Sequence, residues 1–187
     1  MAAGKNLYAV VLTFSGEIEQ VFSRLHEDFP QHMKYTIVPH ITLVYPFVPV
    51  FSLFQINEQL TKVARRTKCF KIVLNGIEFF EDGNKVAYAA VQNRRSVKRL
   101  HTDIVKSLDG FIKEWYTDGR FNYEKFIPHV TIVERIPADL FPDIKKRLSR
   151  YRLHYEDRIT DFSLFSEDNG NWQFSRVYEL TGGTGRR

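Results

Sequence analysis

A chain of 187 residues that is 43% hydrophobic and 14% aromatic has ample material for a core. That excludes global disorder and sets the scale at one domain, or two intimately packed lobes. The lone cysteine, Cys69, excludes an intramolecular disulfide and a thiolate-rich zinc site, and no run is apolar for long enough to span a membrane. The formal charge is +5, with 9 Lys and Arg against 8 Asp and Glu in residues 1–93 and 18 against 14 in residues 94–187, which admits phosphate-bearing partners without requiring them.

The opening Met-Ala-Ala-Gly-Lys-Asn carries no signal-like apolar run, so the cytoplasm is the expected location. Residues 7–14 (LYAVVLTF) form an aliphatic strand. Ile18, Val21, Phe22, Leu25 and Phe29 then recur at helical spacing, until Pro30 and a loop with His32. Residues 38–44 (VPHITLV) read as a buried strand, punctuated by Pro46 and Pro49. Ser52 caps a helix whose apolar face is Leu53, Ile56, Leu60 and Val63. Residues 70–80 form a strand bent at Gly76, and Glu81-Asp82-Gly83-Asn84 turns it into the strand KVAYAAVQ at 85–92.

The order then repeats. Ser96 caps a long helix with Val97, Leu100, Ile104, Leu108, Phe111 and Trp115 on its buried side. A polar, aromatic loop at 117–126 leads to the strand IPHVTIV at 127–133. Pro137 belongs to the first turn of a helix burying Leu140, Phe141, Ile144 and Leu148. Strands follow at 151–156 and 160–166, then a turn at 167–171, a strand at 172–180 and a flexible tail at 182–187.

Two segments stand out because they match. Each has Pro before a His, Thr two residues after it, and aliphatics at the other positions. On a strand, His40 and Thr42 share one face, as do His129 and Thr131, while Ile41, Leu43, Val130 and Ile132 take the other. A polar face on an apolar strand needs hydrogen bonds or a wet cleft. The motifs lie 89 residues apart and the turn aspartates, Asp82 and Asp168, 86 apart. A duplicated α+β architecture follows: two antiparallel sheets about an approximate two-fold axis, helices outside, and both His-x-Thr faces on one central groove. The expected unit is a single bilobal domain over 1–181, with pseudo-repeats near 7–84 and 85–181 that share the KVAYAAVQ strand.

Two histidines facing one phosphoryl centre can act as a metal-free acid–base pair, one neutral and one charged near neutral pH. Threonine hydroxyls beside them can hold nonbridging oxygens. His40-Ile41-Thr42-Leu43 and His129-Val130-Thr131-Ile132 are similar in full to the tetrapeptides of the 2H phosphoesterase superfamily, and the order of elements matches over residues 7–180. That superfamily includes LigT-like 2′-5′ RNA ligases and RNA 2′,3′-cyclic phosphodiesterases. The resemblance implies a bilobal fold, His40 and His129 as the catalytic pair, and Thr42 and Thr131 as phosphate ligands. It also implies cleavage of 2′,3′-cyclic phosphate or 2′-5′ bonds, in RNA ends or a small cyclic nucleotide, with no metal and no cofactor. Of the two ways to divide the roles, His129 as base on water with His40 as acid is the one favoured. Tyr45-Pro46-Phe47 departs from the usual bacterial continuation and marks a divergent branch.

Further candidates come from position alone. Arg135 shares a face with His129 and Thr131 if the strand runs that far, within reach of a phosphate. Tyr45, Phe47, Tyr123 and Phe126 flank the motifs and could stack on a base. The other histidines read as structural or surface groups, and the runs Arg94-Arg95, Lys98-Arg99 and Lys145-Lys146-Arg147 as solvated faces that could help to steer RNA. Two alternatives accompany the phosphodiesterase: a non-catalytic module holding RNA or a cyclic nucleotide, and a 2′-5′ RNA ligase running the reverse reaction. The chain is expected to be a monomer with no membrane partner.

Overall fold

The computed structural model describes residues 6–14, 16–27, 38–114 and 125–182. His32, Trp115, Tyr123 and the 183–187 part of the tail lie outside them. The strands are β1 (Leu7–Thr13), β2 (His40–Pro49), β3 (Phe70–Phe80), β4 (Lys85–Val91), β5 (Ile112–Glu114), β6 (His129–Ile136), β7 (His154–Ile159), β8 (Asp161–Asp168) and β9 (Asn171–Glu179). The helices are α1 (Glu17–Glu27), α2 (Leu53–Arg66), α3 (Arg94–Leu108) and α4 (Phe141–Leu148). The fold is α+β, with two antiparallel sheets ordered β5-β2-β1-β8-β9 and β6-β4-β3-β7. Among the described residues no helix is long and apolar enough to cross a membrane.

Neither sheet is one half of the sequence. The first takes β1 and β2 from the start and β8 and β9 from the end; the second takes β3 and β4 from the middle with β6 and β7. Matching β1 with β4, β2 with β6, β8 with β3 and β9 with β7 makes the two orders coincide over four strands, with β5 an added edge of the first sheet. Strand β4 is therefore both the return arm of a hairpin and the counterpart of β1.

The match extends to individual residues. β1 pairs with β2 through Tyr8–Phe47, Val10–Val44, Val11–Thr42, Leu12–Ile41 and Thr13–His40. β4 pairs with β6 through Lys85–Ile136, Ala87–Val133, Tyr88–Thr131, Ala89–Val130 and Ala90–His129. Every residue of the second set lies 77 (inner strand) or 89 (motif strand) positions beyond its counterpart, and both pairs slip at the same two places. Such slips are β-bulges, which bend a strand and re-aim its side chains.

Local sequence accounts for most elements. Ser52 and Gln55 form a reciprocal capping box that starts α2, with the Gln55 amide bonded to Ser52 Oγ and the Ser52 amide bonded to Gln55 Oε1. Gly76, at φ 80°, occupies the slip between Leu74 and Ile77 in β3, where a residue with a Cβ would be strained. Ile18, Phe22 and Leu25 of α1, Ile56, Leu60 and Val63 of α2, and Val97, Leu100 and Ile104 of α3 all join the core.

Three helix boundaries differ from expectation. α3 begins at Arg94 rather than after Ser96, with Asn93 at its N-cap position; the Asn93 side chain makes no capping bond and braces β3, its Nδ2 donating to Lys71 O (2.6 Å) and its Oδ1 accepting from Val73 N (2.8 Å). It also stops at Leu108, where Gly110 adopts φ 73° and reverses the chain, so that Phe111 leaves the helix and β5 adds to the edge of β2. α4 begins at Phe141, with Pro142 in its first turn; Pro137 instead heads a turn whose carbonyl accepts from Leu140 N and Phe141 N.

Candidate active site

Strands β2 and β6 meet along the line between the two sheets. Their burial patterns begin identically: His half-buried, aliphatic buried, Thr half-buried, then two buried aliphatics. Val44 and Val133, which simple alternation would place beside Thr42 and Thr131, are fully buried, because the first bulge of each strand inserts a residue there. The polar stretch of each motif strand is thus cut to His and Thr, and the chain after Thr changes phase.

Each imidazole is held in the same way. His40 Nδ1 lies 2.9 Å from the carbonyl of Val38, and His129 Nδ1 lies 2.8 Å from that of Ile127. A carbonyl oxygen only accepts, so Nδ1 carries the hydrogen in both rings. The neutral ring therefore presents its lone pair on Nε2, and the charged ring presents an N–H there. Pro39 is buried, and its carbonyl accepts from Phe14 N (2.9 Å), which fixes the entry to β2.

Burial dominates the titration of both rings and holds each below the ordinary histidine value of 6.5, since protein surroundings disfavour the imidazolium. The carbonyl bonds act in the opposite sense. For His40 a further lowering comes from the charge of His129, which places the two rings within electrostatic reach of each other. Neutral rings are thus favoured, and one proton on the pair resists a second.

The surroundings of the two histidines differ. Tyr88 stands opposite Thr131 on one side and Glu78 on the other, a row across β6, β4 and β3. Tyr88 packs edge-on to His129 with ring centroids 5.2 Å apart, and Phe80 does the same at 5.0 Å while stacking on Tyr88 at 4.3 Å. The Tyr88 hydroxyl donates to Glu78 Oε2 (2.9 Å), which also accepts from Arg94 Nη2 (3.2 Å). Burial, followed by that bond and the carboxylate's charge, pushes the Tyr88 phenol up to about 12. The corresponding row beside His40 is Thr42, Val11 and Ser163. Phe80, Tyr88 and Glu78 did not stand out in the sequence, where the one available signal was the KVAYAAVQ strand, whose alternation puts Tyr88 on the face of Ala90; Arg94 was read only as part of a solvated basic run and instead pairs with Glu78.

The position-based candidates fare less well. Phe47 is fully buried against Tyr8 and cannot receive a base. Phe126 is 9% exposed and stacks at 3.9 Å on buried His101, so it too is a core ring. Both flank the motifs in sequence, but the second bulge of β2 turns Phe47 inward and the chain before β6 tucks Phe126 under α3. Tyr45 is half-buried, and burial raises its phenol. Arg135 lost its basis with the alternation: it sits at the second bulge with φ 55°, its side chain 80% exposed, 3.7 Å from Glu134. Its counterpart 89 residues earlier is Pro46, whose ring forbids that φ, so the second bulges are built differently.

His101 and His154 take ordinary roles. His101 Nδ1 lies 2.7 Å from Leu43 O and so ties α3 to the first bulge of β2, while His154 is an exposed group 3.7 Å from Glu156. Among the described residues no group of three or more His, Cys, Asp or Glu is placed to hold a metal ion.

Two lobes of equal register that bring a His-x-Thr strand each to a shared seam define a duplicated two-histidine fold. Residues 14–171 match the family model of the 2′-5′ RNA ligase superfamily, and the chain belongs to that family. A protein of Oceanobacillus iheyensis named "Putative phosphoesterase" is 28% identical over 179 residues, covering 92% of this chain and 97% of its own length. A Geobacillus thermodenitrificans protein of the same name is 26% identical, covering 94% and 96%. Among solved structures, a Thermus thermophilus protein superposes with a TM-score of 0.66 at 17% identity, covering 94% of this chain and 98% of its own. Escherichia coli LigT in apo form gives 0.64 at 14% identity with the same coverages. These likenesses carry the fold: two antiparallel sheets with four helices.

Proposed function

We propose that the chain is a phosphodiesterase that hydrolyses 2′,3′-cyclic phosphates or 2′-5′ phosphodiester bonds, at RNA ends or in small nucleotides, without a metal. The carrying observation is the pair of imidazoles on strands of identical register, each with Nδ1–H spent on its own backbone and Nε2 left for chemistry. In the proposed reaction one neutral Nε2 takes a proton from water as the water oxygen bonds to phosphorus. The bond from phosphorus to a ribose oxygen breaks, and the other ring, as Nε2–H, protonates that oxygen. Thr42 and Thr131 donate to the nonbridging oxygens as charge builds on them. A complete acid–base pair favours turnover over mere holding. The phosphoesterase names of the relatives point the same way, and Escherichia coli LigT, solved with 3′-AMP, supports a nucleotide-sized ligand. On this reading the chain works in the cytoplasm as a monomer, as one bilobal unit over residues 1–181.

The test is hydrolysis of an oligoribonucleotide ending in a 2′,3′-cyclic phosphate, in EDTA, by wild type, His40→Ala and His129→Ala. Wild type should give product, and each variant should lose roughly 10²–10⁴-fold in rate. Undiminished turnover by both variants, or strict dependence on a divalent ion, would refute the reading.

A further inference from the structure

One cation of the basic runs, Arg99, lines a cleft that neither catalytic-motif histidine lines. This open cleft of about 1100 Å³ lies between α2, α3 and the start of β3. Four cations line it: Arg66 and Lys68 on one side, Arg99 and Lys106 along α3, against two carboxylates, Asp103 and Asp109. Among the described residues none of the four cations forms an ion pair; Arg66 reaches across to the uncharged carbonyl of Asp103 (3.4 Å). Unpaired cations facing a shared concavity raise its potential and concentrate anions there.

The spacing says which anion. Arg99 and Lys106 are seven residues apart on one helix face, about 10 Å along the axis, and Arg66 and Lys68 add charge from the opposite wall. Arg99 and Lys106 are set apart along the cleft, with Arg66 reaching the carbonyl of Asp103 between them in sequence, which suits a chain of phosphates better than a single one. Phe70 and Phe111 also line it; both are half-buried against the core, Phe111 also against Phe51, and their remaining surface adds apolar area to the cleft. A positive groove with interleaved aromatic rings is the usual design for holding single strands, where phosphates track the cations and bases stack. We propose that this cleft binds single-stranded nucleic acid, at a site separate from the two-histidine groove and independent of whether that groove turns over substrate.

The experiment is fluorescence anisotropy with a labelled ten-residue oligothymidylate, which lacks the 2′-hydroxyl and so cannot be processed, at 50 and 200 mM salt. The cleft variant is Arg99→Glu with Lys106→Glu; both positions are exposed, and Arg99→Gln with Lys106→Gln gives a milder check on the same sites. A control, Arg24→Glu with Lys146→Glu, makes the same change in net charge on exposed surfaces of α1 and α4. Wild type and control should bind alike. The cleft variant should bind at least tenfold more weakly at low salt, with a salt slope shallower by about one to two. Hydrolysis of a mononucleotide 2′,3′-cyclic phosphate by that variant should be unchanged, so a failed cleft is told apart from a failed groove. Equal loss in cleft variant and control would mean net charge alone is at work and would overturn the proposal. So would full retention by the cleft variant, or loss confined to His40→Ala with His129→Ala.

Discussion

The lobe that carries His40 and the lobe that carries His129 share a backbone and differ in chemistry. Their inner strands pair with the motif strands residue for residue, and the bulges fall at the same places. Across that common frame, one row reads Thr42, Val11, Ser163 and the other Thr131, Tyr88, Glu78. What is repeated is what sets a His and a Thr in place: the carbonyl that fixes the tautomer, the alternation, and the bulge that buries the residue after next. What is not repeated is the wall behind the ring. His129 sits against two aromatic rings backed by a carboxylate and a guanidinium, and the matching inner-strand residue on the other side is the aliphatic Val11. The frame demands symmetry, while the proposed reaction, with one acid and one base, does not.

The largest expected effect tests whether the lobes act as one unit. His40→Ala and His129→Ala should each cost roughly 10²–10⁴-fold, and the double variant little more than the worse single, because an acid without its base has no partner step. Multiplicative losses in single-turnover assays would show that the lobes contribute independently. A smaller effect, up to about 10²-fold in kcat, is expected for Thr42→Val and Thr131→Val, which remove a donor and keep the shape. Equal losses would mean that only the repeated frame matters. A larger loss at Thr131 would show that its neighbour Tyr88 contributes to holding it.

Tyr88→Phe addresses the wall directly. It keeps the ring beside His129 and removes the bond to Glu78, whose carboxylate is half-exposed and still faces Arg94. The expected cost is about 1 kcal/mol in urea unfolding, with kcat reduced less than tenfold. Tyr88→Ala, which also opens a cavity, should cost about 3–5 kcal/mol and shift His129 itself. If both variants lose activity alike, the hydroxyl network is what positions the histidine; if Tyr88→Phe is nearly silent, the ring is.

Much of this was legible in the chain, for reasons that can be named. The paired motifs, the Ser52 cap and the bend at Gly76 rest on short-range chemistry, so the residues announce them. The wall beside His129 is less legible: the hairpin sets Glu78 opposite Tyr88, but Tyr88 meets Thr131 only through strand pairing across 43 residues, which nothing local marks. Phe47 was a candidate by its nearness to the motif, although alternation from Ile41 and Leu43 already puts it on the buried face; Arg135 was one by alternation from His129 and Thr131. Alternation extrapolates a face only until a bulge intervenes, and both motif strands bulge just after Thr. The end of α3 shows the opposite failure, since apolar spacing continued through Phe111 and the stop at Gly110 outweighed it.

The smallest effect is on stability, and its sign follows from the histidines' burial. Both rings are held below the ordinary value of 6.5, so as pH falls the unfolded chain takes up these protons before the folded one does. Stability rises with pH wherever the unfolded state binds more protons. The contribution of the two rings is therefore complete above about pH 6.5 and is lost as pH falls from there toward their folded values. The Tm of wild type should fall between pH 7 and 5 more steeply than that of His40→Ala with His129→Ala. Glu81 and Glu156, lowered by hydrogen bonds to Lys145 and Lys71, lose their contribution only below their ordinary value of 4.5 and fall outside this window. The single variants sharpen the comparison between lobes. His40 is disfavoured as a cation by burial and also by the charge of His129, so removing His129 should make His40 easier to protonate and flatten the acid slope by more than one ring's share. Parallel slopes for wild type and all three variants would mean that neither ring is held neutral by its surroundings.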